Sequence, residues 1–435
     1  MSPEVGSVVV VAIAAASTFI LTFPIRKVAI NRGLVVMPDP ERVHTRPTPT
    51  AGGGAIALGF AIAILAAGQL GVFHPDFADS TAPAGVLAAV GVMCLLGLID
   101  DIRSVSPPAK VAGQVLAAMT LVFFGVTMTQ FKVPFLPGYI ELTSTVLPLV
   151  TALWVIGIAN AVNLIDGLDG LAAGVIAIGS GALCIYGLRL MHLQVLSANN
   201  IGPLLAAACC GVCLGFLPHN FHRAKIFMGD TGAMVLGIVM AAATMEIGGQ
   251  ATTVYSGTTY FFFAPLLVPI VILGVPIVDT ALAVGRRAIR RTGVTERDLE
   301  HLHYRLMRLG HGHRRAVVLL WIWTFVLSAL VLYPTFYPTW DGALPFAAVI
   351  LAIALVTVFR PVGRHRAGRS ANGALAKAGA VVDDSDPGAH QLSAPKAGAV
   401  VSRARGGGDG ADGGGEGHSR AHRRRFARHH PPMRG

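Results

Sequence analysis

Few residues in this sequence carry a charge. Asp, Glu, Lys and Arg make up 13% of its 435 residues, while 53% are hydrophobic. An ordinary soluble domain carries about 25% charged residues, so that class is excluded. Cysteine is scarce too. The five cysteines, Cys94, Cys184, Cys209, Cys210 and Cys213, all fall inside apolar runs. Cys210 and Cys213 have the spacing of a redox or zinc motif, but no second pair or nearby histidine completes it. They read as small packing residues. No G-x-x-x-x-G-K-[ST] loop occurs, which removes P-loop nucleotide hydrolysis. The first apolar run has no basic region before it and no cleavage site after it, so it reads as a retained span and not a signal peptide.

What is present comes in blocks. Apolar runs near 20 residues long recur along the chain, enough to cross roughly 30 Å of hydrocarbon. The fold expected is an all-α polytopic membrane protein of about eleven transmembrane helices. The spans fall at 6–24, 53–72, 85–99, 111–128, 145–165, 170–190, 201–217, 231–248, 261–285, 316–333 and 344–359. With the N-terminus outside, 32 of the 34 Lys and Arg fall on the cytoplasmic side, leaving only Lys132 and Arg189 outside. The positive-inside rule therefore favours this count, with a cytoplasmic C-terminus. The net charge of +11 is then read as topology and anionic-lipid contact, not as nucleic-acid binding.

Outside the membrane, residues Phe131–Leu142 carry short apolar runs around Pro137-Gly138. A small extracytoplasmic hairpin and an irregular loop both fit. Two domains are expected: an integral membrane part over 1–360 and a basic tail rich in Gly, Ala and Arg over 361–435. The tail cannot bury a core. Its Gly408-Asp-Gly-Ala-Asp-Gly413 matches a dinucleotide pattern by chance, since no strand or helix frames it.

Five polar clusters fall on the expected cytoplasmic side. Asp100-Asp101 ends the third span, with Lys110 and Gln114 opening the fourth. Adjacent like charges at a membrane edge repel, and need a cation or a role. Asn160, Asn163, Asp166 and Asp169 recur every third residue in Asn160-Ala-Val-Asn-Leu-Ile-Asp-Gly-Leu-Asp-Gly170. On a continuing helix they would flank one face. Their oxygens suit magnesium, or the base and ribose of a nucleotide. Lys225-Ile-Phe-Met-Gly-Asp230-Thr-Gly precedes the eighth span, where capping or a phosphate-bound magnesium are the two readings of Asp230. Asp279 lies near the end of the ninth span, followed by Arg286, Arg287, Arg290 and Arg291. The loop over 286–315 adds His301 and His303, two apart and so not on one face of a regular helix. Zinc there lacks a third soft ligand; a diphosphate or sugar suits these residues better. Carboxylates for a metal, cations for phosphates and an apolar wall are what phosphoryl transfer to a membrane lipid requires.

At these clusters the sequence resembles the polyprenyl-phosphate N-acetylhexosamine-1-phosphate transferases, the glycosyltransferase 4 family. Asp100-Asp101 resembles its paired aspartates. The 160–172 stretch resembles its N-x-x-N-x-x-D-G-x-D-G-L-A block, Phe227-Met-Gly-Asp-Thr-Gly its F-M-G-D-x-G block, and His301-Leu-His-Tyr-Arg-Leu its H-x-H-H-R-L signature. The branch with the better match uses UDP-N-acetylglucosamine. The N-acetylmuramoyl-pentapeptide branch carries an H-H-H-F loop and a T-P-T-M-G-G stretch, where this chain has His-Leu-His and Pro47-Thr-Pro-Thr-Ala-Gly-Gly-Gly. Tyr304 departs from the signature's last histidine, and Ile-Arg-Ser after Asp101 lacks a third acidic residue.

The resemblance implies transfer of N-acetylglucosamine-1-phosphate from UDP-N-acetylglucosamine to a polyprenyl phosphate, with release of UMP. The setting implied is the plasma membrane, with the site on its cytoplasmic face. Magnesium, or manganese in its place, would be the cofactor. Asp230, assisted by Asp100, would hold the metal; Asp101 would be a base or positioner for the lipid phosphate; Lys110 would bind phosphate. Asn160, Asn163, Asp166 and Asp169 would form the nucleotide and metal-supporting wall. Arg290, His301 and His303 would meet the diphosphate and sugar. A homodimer fits this picture. The alternatives are transfer of phospho-N-acetylmuramoyl-pentapeptide or another sugar phosphate, and a transporter or lipid flippase. The last predicts ionisable residues near mid-membrane, where this chain has few.

Overall fold

Helix α9, Gly229–Gly248, is buried from Thr231 to its end. It packs on five other helices: α2 (Gly53–Ala67), α4 (Ala82–Ile102), α6 (Leu147–Ile165), α8 (Gly202–Asn220) and, more lightly, α7 (Leu171–His192). In an aqueous protein a helix apolar on every side belongs in the core; here the core is that of a helical membrane protein. The structure is a computed structural model that describes residues 1–37, 46–131, 140–249 and 312–337.

The other helices are α1 (Pro3–Asn31), the short α3 (His74–Ala78), α5 (Pro107–Phe123) and α10 (His313–Phe336). Seven of these helices are long and apolar enough to cross a membrane. The count reaches eight if α2 and the segment Gly71–Ala78, bent by 85°, are one span. The protein is thus mostly helical and multi-pass. The expected spans at 261–285 and 344–359, and the tail, lie outside the described residues.

Small residues let these helices close on one another. Gly211 and Gly215 of α8 lie one turn apart against α1, and a methyl on Gly211 would meet the Val11 carbonyl oxygen at 2.5 Å. With lipid on the outside, such close backbone packing replaces the hydrophobic drive that assembles helices in water. The exposed large side chains fit a lipid-facing exterior: Val8, Ile20 and Phe23 on α1, Leu149 and Leu153 on α6, Phe325 on α10.

Two small ladders complete the fold. Strand β3 (Gln130–Phe131) pairs antiparallel with β4 (Ile140–Glu141), so the expected hairpin is present at its base. An unforeseen pair joins β1 (Val35–Val36) to β2 (Thr48–Pro49). It leads the chain into the start of α2, where Gly52 and Gly53 donate backbone hydrogen bonds to the carbonyls of Phe227 and Met228, and the Phe227 N–H donates to Pro49. The Pro47–Gly54 stretch is therefore zipped onto the Phe227-Met-Gly-Asp loop.

Candidate active site

Eight helix ends gather at one end of the bundle: the C-terminal ends of α4, α6 and α8 and the N-terminal ends of α2, α5, α7, α9 and α10. Glycine makes the central approach workable. A Cβ on Gly97 of α4 would collide with the backbone of Thr231, and one on Gly53 with the Gly232 amide. Hence α4 and α2 both lie directly against the first turn of α9.

One turn beyond Gly97, Asp101 reaches the open N-terminus of α9. Its Oδ1 accepts from the Asp230 N–H at 2.8 Å. Its Oδ2 accepts from the Thr231 N–H at 3.2 Å and the Thr231 hydroxyl at 2.6 Å. The residue before α9, Met228, offers no side-chain cap. Asp101 thus caps α9 from a different helix, satisfying donors that a helix start leaves unpaired. The fit depends on Gly229, which has φ +69; a Cβ there would sit 2.6–2.7 Å from the Asp101 carboxylate oxygens. Asp230 does not cap its own helix.

Asp100, adjacent in sequence, faces elsewhere. Its Oδ1 accepts from the Val105 N–H at 2.8 Å, which folds the α4–α5 turn around it. Its Oδ2 lies 2.7 Å from the Lys110 ammonium, which also lies 3.3 Å from Asp230 Oδ1. Two carboxylates from α4 and α9 therefore converge on one cationic position, supplied here by Lys110 of α5. Side-chain exposure rises from 9% at Asp100 to 35% at Asp230, so Asp230 is the carboxylate that opens to the cleft. Such a hard-oxygen donor set fits magnesium.

The Asn160–Gly170 stretch is not a continuous helix. Helix α6 ends at Ile165, Asp166 stands at its C-cap, and Gly170 starts α7 in the left-handed region at φ +77. The expected polar face is split in two. Asn160 stays on α6 and pairs with Gln114 of α5: Asn160 Nδ2 donates to Gln114 Oε1 at 3.0 Å, and Gln114 Nε2 donates back at 3.4 Å. That amide pair ties α5 to α6 just behind the turn, with Asn160 half-buried between them. Asn163 is half-buried on the last turn of α6.

Asp166 and Asp169 lie on the turn. Burial first, then the negative charges of Asp230, Asp101 and Asp169, push the Asp166 carboxyl well above the usual carboxylate range. A cation close by would favour its ionised form. The turn therefore lies within electrostatic reach of the Asp101 and Asp230 carboxylates. Asp169 Oδ2 accepts from the Ala224 N–H at 3.1 Å and lies 3.3 Å from His222 Nδ1. Asn220 ties the turn down further, accepting from the Gly170 N–H at 2.9 Å and donating to the Ile226 carbonyl at 3.1 Å.

The sequence did not single out Asn220, His222 or His313 for this site. His222 and Asn220 sat on the loop before the Phe-Met-Gly-Asp block, which was the one signal available. Nothing in their spacing relates them to Asp169, or to His313 ninety-one positions on. Arg290, His301 and His303 lie outside the described residues, as does Asp279.

Membrane-crossing helices whose ends gather carboxylates around a lysine define a class of integral membrane enzymes, and sequence comparison makes that class specific. Residues 83–248 match the model of glycosyl transferase family 4. The chain is 37% identical over 349 residues to the decaprenyl-phosphate N-acetylglucosaminephosphotransferase of Mycolicibacterium smegmatis, covering 79% of this chain and 86% of that protein. The protein of the same name from Mycobacterium leprae is 36% identical over 358 residues, 81% of this chain and 89% of its own length. A phospho-N-acetylmuramoyl-pentapeptide-transferase of M. smegmatis is 29% identical over 367 residues, 76% of this chain and 97% of that protein. The chain belongs to glycosyl transferase family 4, and to its polyprenyl-phosphate sugar-phosphate transferases.

Proposed function

We propose that this protein transfers N-acetylglucosamine-1-phosphate from UDP-N-acetylglucosamine to a polyprenyl phosphate. The products are UMP and polyprenyl-diphosphate-N-acetylglucosamine, and the step opens the membrane stage of a cell-envelope glycan. The observation that carries the reading is the convergence of Asp100 and Asp230 on Lys110 at the membrane-helix ends, in a chain 37% identical to a relative of that name.

In the reaction, an oxygen of the lipid phosphate attacks the sugar-bearing phosphorus of the nucleotide sugar. The bond from that phosphorus to the bridging oxygen breaks, and UMP leaves with that oxygen. A phosphate monoester is already largely ionised near neutral pH, so no strong base is needed. Catalysis is then mainly positioning and charge neutralisation. Asp230 and Asp100 would hold magnesium, or manganese in its place, which neutralises charge on the phosphates. Lys110 is close enough to both carboxylates to release them to a metal and turn its ammonium to a phosphate oxygen. Asp101 is a positioning residue here, not a base: its oxygens are occupied by the start of α9, and it fixes where Asp230 stands. Asp166, Asp169 and Asn163 would line the nucleotide side, with Arg290, His301 and His303 meeting the diphosphate and sugar.

The arrangement proposed in the membrane is eleven spans in the plasma membrane, with the N-terminus outside and the site in the cytoplasm. Purified protein given both substrates and magnesium should release UMP and a lipid diphosphate sugar; absence of product across a magnesium series overturns the reading. The second sugar to test is phospho-N-acetylmuramoyl-pentapeptide, since that branch is also related at 29% identity. A panel of UDP-sugars separates the two.

A further inference from the structure

Three residues from distant parts of the chain meet beside the catalytic cluster: Asp169 on the α6–α7 turn, His222 after α8, and His313 in the first turn of α10. One donor atom from each lies within 4.8 Å of the other two. His222 Nδ1 is 3.3 Å and His313 Nε2 4.0 Å from the same oxygen, Asp169 Oδ2. The two imidazoles stack, with centroids 4.5 Å apart and planes 30° from parallel.

Ordinary hydrogen bonding explains only part of this. His222 has a side-chain partner in Asp169, whereas among the described residues His313 makes no hydrogen bond of good geometry. Its side chain is 10% exposed, and both of its ring nitrogens are buried without a hydrogen-bond partner among the described residues. Leaving buried polar atoms unmatched destabilises a fold, and such an orphan calls for an explanation. Here one nitrogen of the orphan ring is aimed at a carboxylate oxygen already flanked by a second imidazole.

We propose that Asp169, His222 and His313 form a divalent-cation site separate from the Asp100–Asp230 pair, and that it takes a borderline ion such as zinc in preference to magnesium. The donor set decides the preference. Two imidazole nitrogens and one carboxylate oxygen suit zinc, whereas magnesium favours oxygen alone. Tetrahedral zinc with bonds near 2.0–2.1 Å sets its donors about 3.3 Å apart. His222 and Asp169 already stand at that separation, and a small rotation of the His313 side chain would close the remainder. Three protein ligands leave a fourth position for water. Bound zinc would staple the start of α10 to the turn that carries Asp166 and Asp169. The Arg314 guanidinium, which donates to the His222 carbonyl oxygen at 3.3 Å, already joins the same two segments.

The test uses the full-length protein in detergent, stripped with chelator and then titrated with zinc alone and with cobalt alone. Zinc content by elemental analysis should reach one ion per chain, and cobalt should give the visible absorption of a site with nitrogen ligands. His222→Ala and His313→Ala should each weaken zinc binding by at least about tenfold, since loss even of an outer partner of a metal ligand costs 10–100-fold. His313→Cys keeps a zinc donor and should retain the ion. Asp230→Asn should leave zinc binding unchanged, because that carboxylate serves the other site. Thermal unfolding of each variant shows that it is folded, and zinc should raise the wild-type midpoint but not that of His313→Ala. Equal zinc binding by wild type and both alanine variants, or none by the wild type, overturns the proposal. Magnesium-dependent UMP release in the same preparations keeps the outcomes apart: turnover by a wild type that takes up no zinc on titration sinks this site and leaves the transferase reading standing.

Discussion

Asp100 and Asp101 are neighbours with opposite occupations. Asp100 faces Lys110 across 2.7 Å, while Asp101 turns to the amides of Asp230 and Thr231. Replacing each by asparagine should therefore fail in different ways. Asp230→Asn and Asp100→Asn should lower the turnover number by about 10²–10³-fold, the scale of removing one electrostatic contact at a reacting centre. Their unfolding midpoints should stay close to wild type. Asp101→Asn loses a charged acceptor at a helix start, worth about 1–2 kcal/mol. Its midpoint should fall along with its rate. Thermal unfolding beside an initial-rate assay of UMP release reads both effects, and a fully stable but inactive Asp101→Asn would show that the carboxylate acts on substrate directly.

At the scale of elements, the site is made by close helix approach. Gly97→Ala inserts a methyl group into the backbone of Thr231. Overpacking of that kind costs about 1–3 kcal/mol, and here it pushes the first turn of α9 away from Asp101. Activity should drop more than stability does, measured as turnover against unfolding midpoint, although residue 97 touches no substrate. Much of this level was legible in the sequence. The apolar blocks gave the helices, and the carboxylates at their edges gave the candidate residues that the helix ends bring near one another, because both follow from local composition. Two matters were not legible. The every-third spacing of Asn160, Asn163, Asp166 and Asp169 suggested one helical face, but Gly167 and Gly170 break the helix, and Asn160 pairs with Gln114 instead. The capping of α9 was read as local, yet its cap comes from a residue 129 positions earlier. Long-range partners of this sort leave no periodicity to read.

For the whole molecule, the transferase reading predicts a dependence on the metal and none on the tail. Chelation of divalent cations should abolish UMP release, and added magnesium or manganese should restore it. A chain ended after Arg360 should keep most of its turnover, because every residue assigned to the site precedes that point. Loss of activity in that truncation, with normal membrane insertion, would give the basic tail a catalytic part.

The Gln114–Asn160 pair bears on how the protein is made. Helix α5 is only 17 residues long and falls short of the apolar helices around it. It also carries Gln114, 1% exposed in the finished fold. Gln114 is synthesised before Asn160, and alone in the hydrocarbon its amide would have no partner, at the cost an unpaired polar side chain meets there. Insertion of α5 therefore waits on α6, and the two enter the bilayer as a couple. A nascent chain stopped between them should leave α5 outside the membrane, accessible to a glycosylation or protease reporter; extending the chain through Ile165 should draw it in.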